Sequence, residues 1–318
     1  MQGIALDVHT HLIPIVPRAL SGLGGVLQEG ECLQIDGRSI RVADLFRPER
    51  LLAWMDQHGV RHAWVSVPPP AYRQHLPPEE ARAWFSYLDT ALTDVAHGAH
   101  GRLLALHHLP LEHPALALEF ARRALEAGHR HFSVAAGGHP GICHSDPQLE
   151  PLWSDLGVKA ATVFIHPGHC CDGRLSAFYL DNLLGNPFET AVAVSHLVLG
   201  GVCTRHPSLR FCLAHGGGVT AAVAGRLQRG YDTRRPGVPV SDIGPPLQTL
   251  RGFWVDSIVH DAGALALAAQ VFGEDHVVFG SDWPFPMGLP NPQEQLAGLP
   301  GTLLGAVLHE NAQRLVSG

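Results

Sequence analysis

The sequence is short of several features that would point to particular classes of protein. Lys159 is the only lysine, so arginine supplies nearly all of the 22 fixed positive charges, against 29 acidic residues, and the net charge is −7. The basic residues are scattered, which argues against nucleic acid or an anionic membrane as the main partner. The longest apolar stretch, residues 191–202, is interrupted by Ser195 and His196 and is too short to span a bilayer.

The six cysteines form no disulfide framework, and no two of them make a C-x-x-C pair. Free thiols in a chain of 318 residues predict a reducing, cytoplasmic location. No basic region precedes the first apolar run, so no secretory leader is expected. The adjacent Cys170 and Cys171 could be a pair of soft metal ligands, but ordinary loop thiols are the favoured interpretation.

Short apolar runs alternate with helical patterns along the whole chain. Strands are predicted at residues 3–8, 62–67, 102–106, 131–135, 161–165, 209–214, 253–255 and 276–279. Each is followed by a helix or a long loop, and several are wholly apolar, as in parallel strands buried on both faces. This pattern predicts one domain, 1–318, with an α/β fold of the TIM-type (β/α)8 barrel class. The barrel is expected to be distorted by an irregular inserted loop after strand 1, at about 18–46, which would contact the substrate.

Polar side chains recur at the ends of four predicted strands. His9 and His11 lie two residues apart in extended backbone and therefore point to the same side. His166, His215 and Asp282 end the fifth, sixth and eighth strands. A doubly wound sheet is the competing architecture, but only a closed ring places the first and eighth strands side by side. In a barrel these side chains meet at one mouth and form a set of ligands for zinc or a similar ion.

The order of these residues resembles the amidohydrolase superfamily, and more specifically its aminocarboxymuconate-semialdehyde decarboxylase-like branch. The resemblance covers nearly the whole chain, and its most specific segments are residues 7–11, 36–42, 55–60, 200–202, 214–218 and 280–286. It implies one divalent ion, Zn²⁺ or alternatively Mn²⁺, whose ligands are His9, His11, His166 and Asp282. His215 would be the general base acting on a water at the ion, and Asp282 would share in catalysis.

Binuclear amidohydrolases need a bridging lysine at the C-terminal end of a strand. Lys159 precedes the strand that leads to His166, at the wrong end for the mouth, so a single ion is expected.

The same resemblance suggests residues that would hold the substrate. Arg41 and Arg234 match arginines that bind substrate carboxylates, the second donated across a homodimer interface, and either could instead be a solvated loop residue. A planar guanidinium grips a carboxylate through two hydrogen bonds, which suits arginine to the role. Trp283 and Phe285, close after the metal-ligand aspartate, are also expected to contact the substrate.

The sequence thus predicts a mononuclear, metal-dependent, non-oxidative decarboxylase of a small unsaturated or aromatic carboxylic acid, similar to 2-amino-3-carboxymuconate 6-semialdehyde. The same site would serve a hydrolase of a lactone, an amide or a C–C bond. A non-catalytic barrel stabilised by the ion is a third possibility, against which His215 argues. Gly168 and Asn182 stand where the decarboxylase of that branch has tryptophans, so the substrate itself stays open.

Overall fold

A computed structural model of the chain describes residues 3–138, 141–170, 172–292, 296 and 298–317. The chain forms two compact units. Unit 1 combines the described residues up to His108 with those from Val278 onward, and unit 2 runs from Leu109 to Val277. The single domain expected over 1–318 stays a prediction.

Strands and helices alternate through both units. In chain order they are β1 (Ile4–His11), α1 (Pro17–Leu20), β2 (Val26–Glu29), β3 (Cys32–Ile35), β4 (Arg38–Ser39), α2 (Pro48–His58), β5 (Val60–Ser66), α3 (Pro78–Gly98), β6 (Leu103–Ala105), β7 (His107–His108), α4 (Pro114–Glu126), β8 (His131–Ala136), α5 (Glu150–Val158), β9 (Thr162–Pro167), α6 (Asn186–Leu199), α7 (Val202–Arg205), β10 (Arg210–Leu213), α8 (Thr220–Asp232), α9 (Pro246–Leu250), β11 (Phe253–Asp256), α10 (Ala262–Phe272), β12 (Val277–Val278), α11 (Gly301–Gly305) and α12 (Asn311–Ser317). All of the predicted strands are present.

The first strand is the centre of a parallel arrangement in unit 1. It pairs with β5, which pairs in turn with β6. On its other side β1 bonds to the segment after β12, where the Val8 amide donates to the Phe279 carbonyl at 3.0 Å and the His11 amide to the Trp283 carbonyl at 2.9 Å. The first strand and the segment that follows the last strand are therefore neighbours, which a closed barrel requires and a doubly wound sheet does not.

Unit 2 contains a parallel sheet whose strands follow chain order, β8, β9, β10 and β11. Every residue of β9 is buried, and Ile165 pairs with Val134 on one side and Leu213 on the other. Wholly apolar runs form such strands because both faces must be covered by other elements. The parallel sheets and intervening helices confirm the mixed α/β class.

The prediction of an irregular segment at 18–46 was wrong. Residues 26–39 form a three-stranded antiparallel sheet in the order β2-β3-β4. Asp36 and Gly37 connect β3 to β4, and their φ angles of 49° and 77° are both positive, as a two-residue hairpin of type I′ demands. An Asp-Gly pair is a strong signal of a hairpin, but the many glycine and polar residues of this segment favoured an irregular loop in the sequence-based prediction. That the segment contacts substrate stays a prediction.

A buried arginine ties this small sheet to the loop after β5. The Arg73 guanidinium donates to both carboxylate oxygens of Asp36, at 2.9 and 2.6 Å, and to the Gly24 carbonyl at 2.8 Å. These bonds hold the pKa of Asp36 below its ordinary value. Gly25 has a φ of 72°, and a Cβ there would lie 2.5 Å from the guanidinium, so only glycine fits beside the pair.

No described helix is both long and apolar enough to cross a membrane.

Candidate metal centre

Two histidines of β1 place ligand atoms side by side. The Nε2 atoms of His9 and His11 are 3.1 Å apart, and neither residue is accessible to solvent. The pairing of β1 with β5 shifts register between Asp7 and Thr10, the stretch that contains His9. Beyond the shift, His11 pairs with Ser66, whose hydroxyl lies 3.0 Å from His11 Nδ1. This contact orients the ring so that Nε2 faces the Nε2 atom of His9.

Asp282 brings a third ligand atom to the same point. Its Oδ1 lies 3.3 Å from His9 Nε2 and 3.3 Å from His11 Nε2. Its backbone amide donates to the His9 carbonyl at 2.8 Å, which fixes the carboxylate against β1. Asp282 has a φ of 57°, at the start of a loop that turns back on itself. Only glycine fits at Gly288 in this loop, because a Cβ there would lie 2.1 Å from the Ser281 carbonyl oxygen.

The three converging atoms fit a divalent cation. When each neutral imidazole carries its proton on Nδ1, both Nε2 atoms and the carboxylate oxygen are acceptors. They lie 3.1–3.3 Å apart in a buried place, an arrangement that a positive charge between them stabilises. Nitrogen and oxygen donors of this kind suit zinc, and they also suit manganese. The structure thus brings His9, His11 and Asp282 together in unit 1.

Asp7 supports this cluster from within β1. Its carboxylate is fully buried and accepts the amides of His9 at 3.0 Å and of Ser281 at 3.1 Å. Burial raises the pKa of Asp7 to about 7, although these hydrogen bonds and the nearby His9 oppose the rise. Asp7 therefore ties the first strand to Ser281, the residue that precedes Asp282.

Unit 2 contains the other two predicted histidines. His166 is 3% exposed at the end of β9, and its Nδ1 lies 2.9 Å from the Pro167 carbonyl. The carbonyl can only accept, so Nδ1 carries the proton and Nε2 is left as an acceptor. The ring of His215 lies beside it, with centroids 5.2 Å apart and planes at 62°.

Asp256 fixes the backbone that carries His215. The buried carboxylate of Asp256, at the end of β11, accepts the amides of His215, Gly216 and Ile258 at 2.9, 2.8 and 3.0 Å. His215 has a φ of 54°, in the 3₁₀ turn after β10. Asp256 was not predicted from the sequence, although it ends the seventh predicted strand as Asp282 ends the eighth, and a carboxylate at a strand end is the same signal.

The predicted substrate residues lie in different settings. Trp283 is buried and Phe285 is half-buried, with its ring centroid 5.5 Å from that of His11. Arg41 and Arg234 are exposed, and neither side chain makes a hydrogen bond or ion pair with a described residue. Their role with carboxylates stays a prediction.

Two other expectations concern loops of unit 2. Cys170 is buried against Gly185, where a Cβ would lie 2.6 Å from the Cys170 Cβ, while Cys171 lies outside the described residues. Lys159 is exposed in the turn before β9, at the opposite end of that strand from His166. That position gives Lys159 no part in bridging two ions.

Comparison with known proteins gives relatives that are decarboxylases. The 2-amino-3-carboxymuconate-6-semialdehyde decarboxylase of Dictyostelium discoideum is 30% identical over 300 residues, which are 90% of this chain and 83% of that protein. The 2,6-dihydroxybenzoate decarboxylase from Rhizobium shares the fold, with a TM-score of 0.80, 22% identity and full coverage of both chains. A dihydroxybenzoic acid decarboxylase from a Polaromonas species, solved with bound manganese, has a TM-score of 0.79 at 19% identity, over 100% of this chain and 97% of that one.

The predicted resemblance is confirmed over almost the whole length of the chain. The family described as Amidohydrolase matches residues 6–317, a range that contains the two histidines of β1, the two histidines of unit 2 and Asp282. This match, together with the 30% identity to the Dictyostelium decarboxylase, shows that this chain belongs to the amidohydrolase family.

Proposed function

We propose that this protein is a metal-dependent, non-oxidative decarboxylase of a small unsaturated or aromatic carboxylic acid. The convergence of His9, His11 and Asp282 on one point is the observation that carries the proposal. Curated relatives that match 90% of the chain support the reaction class, since they act as decarboxylases of 2-amino-3-carboxymuconate 6-semialdehyde and of gamma-resorcylate.

One divalent ion would be held by His9, His11 and Asp282, and the family resemblance adds His166 as the fourth ligand. All four side chains are buried and offer nitrogen or carboxylate oxygen. Zinc is the expected ion, and manganese, present in the Polaromonas relative, is the alternative. When bound, the ion supplies a Lewis acid that draws electron density from the substrate.

The reaction replaces a carboxylate by a proton. The bond from the unsaturated carbon to the carboxylate breaks, its electron pair stays on that carbon, a proton joins the carbon, and CO₂ leaves. No oxidant or reductant is consumed. His215 would move the proton through a ring nitrogen, because Asp256 fixes the backbone that carries it and imidazole is the commonest general acid and base in enzymes.

Arg41 and Arg234 would grip the substrate's carboxylates, and Trp283 and Phe285 would cover its apolar face. The exposure of both guanidinium groups leaves their donors available for a planar, bidentate contact. The second arginine would come from a partner copy.

A homodimer is supported by an apolar segment in unit 2. Five large apolar side chains within residues 178–188 are between 49% and 87% exposed: Phe178, Tyr179, Leu183, Leu184 and Phe188. Such a concentration is unusual on a monomer's surface. We expect light scattering to give twice the mass of one chain, and the Phe178→Asp variant to have a mass closer to that of a single chain.

A cytoplasmic location is supported by the free thiols of the five described cysteines.

The decisive experiment combines metal analysis with CO₂ release. Purified protein is assayed against carboxylated muconate semialdehydes, hydroxybenzoates and lactones, before and after chelation and readdition of Zn²⁺ or Mn²⁺. Asp282→Asn and His9→Ala should lose bound metal and CO₂ release together. His100→Asn is the control, because His100 is exposed and asparagine tolerates its positive φ of 52°. Turnover without CO₂ release would contradict the proposal and favour a hydrolase.

A further inference from the structure

A cavity in unit 1 lies beside the loop that carries Asp282 but is lined by other residues. Its volume is about 230 Å³. One wall is α2, which contributes Trp54 and His58, and the other is the loop after β12, which contributes Trp283 and Phe285. A dry cavity of about 150 Å³ is enough to hold benzene. This space, which we call the Trp54–Trp283 cavity, is therefore large enough for a substituted aromatic ring.

The walls of the cavity suit a planar ring. Trp54 and His58 lie one helical turn apart on α2, with ring centroids 4.9 Å apart. The Trp54 indole is positioned by a hydrogen bond from Nε1 to the Pro290 carbonyl at 3.4 Å. Aromatic rings bind one another in offset or edge-to-face contact beyond the burial of their area. The aromatic lining therefore favours an aromatic ligand over an aliphatic one.

The charge of the lining selects against anions. Among the described residues that line the cavity, none is an arginine or a lysine, and Asp44 carries the fixed charge. Burial lowers the pKa of His58, which disfavours the cationic form of its imidazole. A carboxylate here would meet Asp44 without a compensating positive charge, whereas a hydroxyl or amino group could donate to Asp44.

We propose that the Trp54–Trp283 cavity is a second ligand site, which binds a neutral aromatic ring bearing a hydrogen-bond donor, a phenol or an arylamine, and excludes the aromatic carboxylate. If the proposed function holds, the site accepts the class of product and rejects the class of substrate, because decarboxylation removes the one group that the lining repels.

The cavity also has a physical connection to the metal centre. Trp283 follows Asp282 directly, and its amide donates to the Ser281 hydroxyl at 3.1 Å. Phe285 stands between the cavity, which it lines, and the His11 ring at 5.5 Å. A ring in the cavity would thus touch residues on both sides of a proposed metal ligand, Asp282.

The test uses ¹⁹F NMR titration of the full chain with 4-fluorophenol and 4-fluorobenzoate at pH 7. We expect the phenol to bind at least about tenfold more tightly than the benzoate, and Trp54→Ala to weaken phenol binding by about tenfold. Val158→Ala is the control, since this apolar side chain is 79% exposed in unit 2 and lies outside the apolar segment at residues 178–188. Gln57→Arg adds a cation to the lining and should strengthen benzoate binding, a gain that a misfolded variant would not give.

The His166→Ala variant separates this proposal from the proposed function. It removes a proposed metal ligand of unit 2 and leaves every lining residue in place, so phenol binding should persist while CO₂ release is lost. Phenol binding that vanishes in His166→Ala belongs to the metal centre and overturns the proposal. Three other results would overturn the proposal of a second ligand site. These are equal affinities for 4-fluorophenol and 4-fluorobenzoate, a failure of 4-fluorophenol to bind, and an affinity for 4-fluorophenol that does not change in Trp54→Ala.

Discussion

The Ser66 hydroxyl lies 3.0 Å from Nδ1 of His11, and this contact directs the opposite nitrogen of the ring toward His9 and Asp282. Groups that hold the second nitrogen of a ligand histidine commonly change metal affinity by 10- to 100-fold when removed. Ser66→Ala should therefore weaken Zn²⁺ binding by about tenfold, measured by competition with a chromophoric chelator.

The matched control for that change is Ser133→Ala, which removes a hydroxyl that is equally buried on a strand of unit 2. Unchanged zinc affinity in Ser66→Ala, or an equal loss in both variants, would show that the hydroxyl does not orient the ligand.

Asp256 accepts three backbone amides around His215. Asn in its place has one acceptor oxygen and presents an amino group to donors, so Asp256→Asn should cost about 2–4 kcal/mol of the free energy of unfolding. Urea unfolding measures the loss. Asp261→Asn is the control, because Asp261 caps α10 through a single bond to the Ala264 amide and asparagine caps equally well. Equal stability of the two variants would contradict the role given to Asp256.

Arg73 anchors the antiparallel sheet of residues 26–39 through Asp36. Arg73→Lys keeps the charge and loses the planar fork, so amide hydrogen exchange of residues 26–39 should rise by at least about tenfold. Arg47→Ala serves as the comparison, since its guanidinium pairs with the largely exposed Glu31 of the same segment and should matter little. Protection that survives in Arg73→Lys would show that the charge alone anchors the sheet.

The buried His108 predicts a loss of stability in acid. Its ring stacks on Tyr72 at 4.5 Å and Phe85 at 5.2 Å, and desolvation lowers its pKa to about 3 from the ordinary 6.5. Between these values the unfolded chain binds a proton that the folded chain does not, so stability falls as pH falls, by about 1.4 kcal/mol per unit of pH.

Replacing the imidazole by a ring that does not titrate should flatten this dependence. His108→Phe should show a shallower decline of the free energy of unfolding from pH 6.5 to 4.5, measured with urea. The flattening should be incomplete, because burial also lowers the pKa of His144 to about 4. An unchanged slope would mean that His108 stays neutral in the unfolded state or is protonated in the fold.

The sequence predicted the alternation of strands and helices well, because parallel strands that are buried on both faces have continuous apolar sequences. It failed at residues 26–39, where short amphipathic strands carry no such run and the Asp36-Gly37 turn was the one local signal. The sequence also identified the histidines and Asp282, but not Ser66 and Asp256, the residues that orient two of those histidines. Ser66 and Asp256 end strands too, but a single serine or aspartate at a strand end has many ordinary roles.

The sequence by itself determined that His9 and His11 point to one side, because a strand has a period of two. The arrangement around them was decided only by tertiary structure. The bond from the Asp282 amide to the His9 carbonyl joins residues at opposite ends of the chain, and no local pattern encodes that distance. The Trp54–Trp283 cavity likewise exists only where α2 meets the last loop. Periodicity specifies which face a side chain takes, whereas a site depends on which distant segments pack together.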